Sequence, residues 1–82
     1  MISPRATILR FEKFDGKDRA ELSVRAGSKM GAMVAARIET AHLIPIRDQE
    51  VVSATIKDTD RFLNVWQVTV QNRETIMPSI NS

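Results

Sequence analysis

The sequence predicts an α+β domain in the order ββαββ, a four-stranded antiparallel sheet with one helix packed on one face. Three observations predict it: an Asp15-Gly16 dipeptide between two alternating segments, a Ser28-led run of helix-spaced apolar residues that stops before Pro45, and two further β-branched segments on either side of residues 58–62. Eighty-two residues make one domain, and a domain that short buries only about 60–65% of the surface its unfolded chain exposes. The core is therefore thin. There is no cysteine for a disulfide and no His/Asp/Glu group at metal-ligand spacing, so a homodimer or larger assembly is expected by elimination.

Residues 6–14 and 19–26 flank Asp15-Gly16, the dipeptide best suited to a two-residue type I′ turn, in which both central residues take positive φ. A two-residue turn sets the register. Thr7 then opposes Val24, Leu9 opposes Leu22 and Phe11 opposes Ala20 on an apolar face. The same register sets Arg10 against Glu21, Glu12 against Arg19 and Lys13 against Asp18, three opposite-charge pairs. Slipping by one residue would lose both patterns together.

Gly27-Ser28 ends the strand pattern, and the Ser28 hydroxyl is a good N-cap acceptor. The helix is predicted over 29–43, stopped by Pro45, with Met30, Val34, Ile38 and Ala41 at the spacing of one sheet-covering face. Gly31, Ala32, Ala35 and Ala36 form a low-relief surface that allows another backbone close, and Gly31 and Ala35 are candidates for helix-to-helix self-association. Gly27-Ser28-Lys29 lacks the spacing of a phosphate-binding P-loop. His42 is the only histidine and has no partner at catalytic spacing.

Residues 50–57 and 62–71 read as strands. A loop of three or five residues within 58–62 opposes Val52 to Val68, Ala54 to Trp66 and Ile56 to Asn64, giving an apolar face. Trp66 is then a core filler or a third candidate for self-association, since base stacking would want companion aromatics and flanking basic residues. Residues 72–82 read as a flexible tail.

The sheet face away from the helix is expected to carry Arg10, Glu12, Arg19, Glu21, Arg25, Ser53, Thr55, Gln67 and Thr69, together with Ile8, Val51 and Val65. Positive charge is concentrated early: residues 1–38 hold eight Lys/Arg against four Asp/Glu, and residues 39–82 four against six. With no tyrosine, no cysteine and carboxylates already matched to bases, no nucleophile and base pair emerges, and no enzyme or cofactor is expected. No apolar run reaches the roughly 20 residues of a membrane helix, and the first residues lack a secretory signal core, so a cytoplasmic location is expected. The expected function is a non-enzymatic protein-binding module, for example a small inhibitor or adaptor of the kind encoded by phages and mobile elements, that occludes a partner surface with Arg10, Arg19, Arg25 and Arg47 setting specificity. The alternative is a nucleic-acid-binding protein that applies the basic N-terminal hairpin to phosphates.

Overall fold

A computed structural model describes residues 4–59 and 63–73. Strands β1 (Arg5–Phe14) and β2 (Lys17–Ala26) precede helix α1 (Lys29–Thr40), a 3₁₀ turn at Ile46–Asp48, and strands β3 (Gln49–Thr59) and β4 (Asn64–Asn72). They form the expected α+β architecture, one antiparallel sheet in the order β1-β2-β4-β3 with the helix on one side. The two hairpins therefore meet through β2 and β4, and β1 and β3 are the edges.

Asp15 and Gly16 have φ of 54° and 79°, so the first turn has the two positive angles that its sequence demands. From there the ladder runs as expected for five pairs, Phe14 with Lys17 back to Arg10 with Glu21. A β-bulge then intervenes at Leu9. Beyond it Ile8 pairs with Leu22, Thr7 with Ser23 and Ala6 with Val24, so the expected pairings of Leu9 with Leu22 and Thr7 with Val24 do not form. The physical reason is burial. One extra residue in β1 turns Ile8 and Ala6 onto the helix face, where both pack against the core, and leaves Leu9 59% exposed.

The second hairpin makes the same adjustment twice. β3 ends at Thr59 and β4 begins at Asn64, so four residues connect them instead of three or five, and residues 60–62 of the expected loop lie outside the described residues. An even connection would place Lys57 against Trp66. A bulge between Ile56 and Asp58 corrects this, giving Ile56 with Trp66 and Ala54 with Val68, two residues out from the expected pairing. A second bulge between Val51 and Ser53 sets Val51 against Val70 and leaves Val52 outside. Of the expected tail, Asn72 belongs to β4, the Arg73 N–H donates to the Asp48 carbonyl at 2.6 Å, and residues 74–82 lie outside the described residues.

The helix corrects the sequence reading most. Its residues Ala32 and Ala36 are buried against Ala20, Leu22, Val24, Trp66, Val68 and Val70 of the central strands, and Thr40 is buried one turn further on. Met30, Val34 and Ile38, expected to cover the sheet, point away from it and are 72%, 48% and 63% exposed. Size decides the orientation. A sheet face that already carries Trp66 and Leu22 leaves room for methyl groups, and a close-packed interior penalises added methylenes by about 1–3 kcal/mol.

The helix is also shorter than expected. It ends at Thr40, whose hydroxyl donates to the Ala36 carbonyl at 2.7 Å. The amides of Leu43 and Ile44 then donate to the Thr40 carbonyl at 2.8 and 2.9 Å, and this early exit turns Ile44 into the interior.

Candidate functional site

Ser28 caps α1 as its sequence position suggests, its hydroxyl accepting the Gly31 N–H at 3.1 Å. A Cβ added at Gly31 would stand 3.2 Å from that hydroxyl and 3.9 Å from both Ala26 Cβ and Pro4 Cγ. The start of the helix is therefore held close over the adjoining ends of β1 and β2. Its other end is tied to β3: Arg37 Nε donates to Gln49 Oε1 at 3.3 Å, and Gln49 Nε2 donates to the carbonyls of Arg37 and Ile44, both at 2.9 Å.

The two attachments make α1 a diagonal across the sheet, from the start of β1 to the start of β3, touching all four strands. Among the described residues nothing covers the corners off that diagonal. Phe11 on β1, opposite Ala20, and Ile56 on β3, opposite Trp66, both lie on the helix-bearing face, yet they are 42% and 52% exposed.

Between α1 and β1 runs a trough of about 430 Å³. Pro4 and Ala6 line its strand side, and Gly31, Val34, Ala35 and Ile38 its helix side, with Glu39 the one charged residue among the described ones. The two small helix residues proposed for self-association, Gly31 and Ala35, thus lie together in this trough. Trp66 is not with them. It is buried in the core, its indole N–H donating to the Ala26 carbonyl at 3.1 Å.

Among the described residues no helix covers the opposite face of the sheet. Register places Arg10, Glu12, Arg19, Glu21, Arg25, Ser53, Thr55, Val65, Gln67 and Thr69 there, as expected, while the bulges remove Ile8 and Val51 to the core side. Arg10 Nη1 lies 3.5 Å from Glu12 Oε1. Arg19 stacks its guanidinium 3.9 Å over the Phe14 ring and donates through Nη2 to Gln71 Oε1 at 2.9 Å. Three of the four expected specificity residues, Arg10, Arg19 and Arg25, therefore share one face. Arg47 stands apart, exposed in the 3₁₀ turn after the helix.

Sequence reasoning missed Arg5. A regular ladder would set it on the helix side, but the Leu9 bulge moves it across, directly opposite Arg25. The signal that could have found it is Ile8, an isoleucine stranded on a polar face under the regular register.

Among the described residues no group of three or more His, Cys, Asp or Glu is placed to hold a metal ion, and no helix is long and apolar enough to cross a membrane. His42 is exposed in the turn beyond α1. Compared with family models, curated proteins and solved structures, the chain matches none.

Proposed function

We propose that this chain is a small protein-binding module without a catalytic role, which acts by covering a surface of another protein. One observation carries the reading. A helix that turns Ala32 and Ala36 inward and Met30, Val34 and Ile38 into solvent keeps its large aliphatic groups for contact outside the domain. A protein of this size has little apolar surface to spare, so leaving such a ridge in water is costly unless something covers it.

The other broad face supports the same reading in a different way. Its arginines alternate with Glu12 and Glu21, and Arg10 is already paired with Glu12. A mixed-sign surface matches the mixed charges of a protein and sets register against wrong partners. A phosphate backbone asks instead for cations without interleaved carboxylates. Arg10, Arg19 and Arg25 on this face, and Arg47 beyond the helix, are the cationic side chains that would meet a target.

The test is affinity capture from the native host with quantitative mass spectrometry, comparing the wild type with an Arg10→Glu/Arg25→Glu double variant. One protein should be enriched by the wild type and lost by the variant. Tight binding of arbitrary duplex DNA or RNA at low salt, weakening steeply as salt rises, would replace this reading with nucleic-acid binding.

A further inference from the structure

Twelve residues at 1.5 Å each make α1 about 18 Å long, whereas β1 and β3, with ten and eleven residues, reach about 33 Å. One short helix on a diagonal cannot cover this sheet. On the β1 side Ala6 lines the trough opposite Gly31 and Ala35, and Phe11, exposed, lies farther along the same face of the strand.

We infer that this trough receives helix α1 of a second copy of the chain, so that two molecules pack face to face as sheet, two antiparallel helices and sheet. Gly31 and Ala35, four residues apart, line the helix side of the trough; Gly31 is held against Ser28, Ala26 and Pro4 of its own chain, and the single methyl of Ala35 lets two helix axes approach within the usual 8 to 10 Å. Met30, Val34 and Ile38, which point away from their own sheet, then point at the partner's, where Phe11 is open.

The size of the surface agrees. Met30, Val34, Ile38 and Phe11 at their exposures leave on the order of 400 Å² of apolar area before the trough walls are added. A standard interface covers about 800 Å² per partner, a little over half of it nonpolar. The choice of a second copy over another partner rests on self-complementarity: the same chain carries both the trough and the ridge that fills it. Such an isologous contact closes at two subunits. This inference rests on the proposed function and narrows it: the aliphatic ridge goes to a second copy, and covering of another protein then falls to the arginine face alone.

The test uses the intact chain. Light scattering of the wild type should return about twice the 9.2 kDa chain mass, and Ile38→Lys, at a site exposed in the single molecule, should return the chain mass with an unchanged circular dichroism spectrum. Because the chain has no cysteine, Ala35→Cys adds a single thiol beside the expected two-fold axis. Under mild oxidation it should form an intermolecular disulfide, while Ser53→Cys on the open sheet face should not.

A wild type that stays at the chain mass at its highest soluble concentration would overturn the inference. So would a dimer that survives Ile38→Lys and fails to cross-link through Ala35→Cys, since its interface would lie elsewhere. In either case capture of a target through Arg10 and Arg25 would still decide the proposed function separately.

Discussion

Arg37 and Gln49 hold each other at both ends of one contact: the guanidinium Nε donates to the Gln49 side-chain oxygen at 3.3 Å, and the Gln49 amide donates back to the Arg37 carbonyl at 2.9 Å. The second amide hydrogen goes to the Ile44 carbonyl. Gln49, 2% exposed, therefore satisfies the open carbonyl end of α1 from the first residue of β3.

Replacing it should cost more than the loss of a surface glutamine. Gln49→Ala removes both donated bonds and leaves a cavity, and it should lower unfolding stability by about 2 to 4 kcal/mol in a urea titration. Gln49→Glu keeps the size, but the carboxylate cannot donate to either carbonyl and faces both as a negative charge. A loss as large as that of the alanine variant is expected, even though the guanidinium of Arg37 remains a partner. A glutamate variant as stable as the wild type would mean that the two donated bonds carry little of the connection.

The bulge at Leu9 gives a sharper test, because deletion should be gentler than substitution nearby. Removing Leu9 joins Ile8 to Arg10 and yields an unbroken ladder in which Ile8 still faces Leu22 and Ala6 still faces Val24. The deletion variant should fold with stability within about 1 kcal/mol of the wild type, since the residue removed is exposed. Ile8→Ala should cost about 1 to 3 kcal/mol. Cross-strand proton contacts between Ile8 and Leu22, measured by NMR in both proteins, would confirm the shared register.

That bulge also marks how far the fold could be read beforehand. Asp15-Gly16 dictated the turn, and five pairs followed from it because nothing between Arg10 and Glu21 disturbs a constant register. Beyond Arg10 a regular ladder cannot reveal an inserted residue, since alternation is satisfied on either side by a different set of side chains. The clue lay in what the regular register left over: Ile8 and Val51 on a polar face, each beside a bulge in the structure. The helix was harder. Met30-Val34-Ile38 and Ala32-Ala36-Thr40 have the same spacing, and hydrophobicity alone selects the larger set. Only the bulk of Trp66 and Leu22 on the facing sheet selects the smaller one, and that depends on the order β1-β2-β4-β3, which local pattern does not specify. The trough depends on both and was legible only as the low relief of Gly31 and Ala35.

A pair of substitutions separates the two helix faces. Ala36→Ile adds bulk where the helix meets the sheet and should destabilise by about 1 to 3 kcal/mol through overpacking. Ile38→Ser, two residues away but facing out, should shift stability by no more than about 0.5 kcal/mol when measured at low protein concentration. If Ile38→Ser proved the more damaging of the two in dilute solution, the orientation of the helix given by the structure would be wrong.

Trp66 joins the core to the point where the helix begins, because its indole N–H reaches the carbonyl of Ala26, the last residue of β2 and the one before Gly27-Ser28. Trp66→Phe keeps an aromatic ring among Leu22, Val24 and Val68 but supplies no donor, so it leaves the buried Ala26 carbonyl without the indole. The expected global loss is about 1 to 3 kcal/mol, combining one unmet acceptor with a smaller ring. A purely volumetric role predicts that loss spread evenly over the molecule. A role in anchoring the strand-to-helix turn predicts, in addition, faster hydrogen exchange at the Gly31 amide that Ser28 receives, with the amides of the far end near Gln49 following only the global change. The Gly31 to Gln49 difference in protection is therefore the measurement that decides between them.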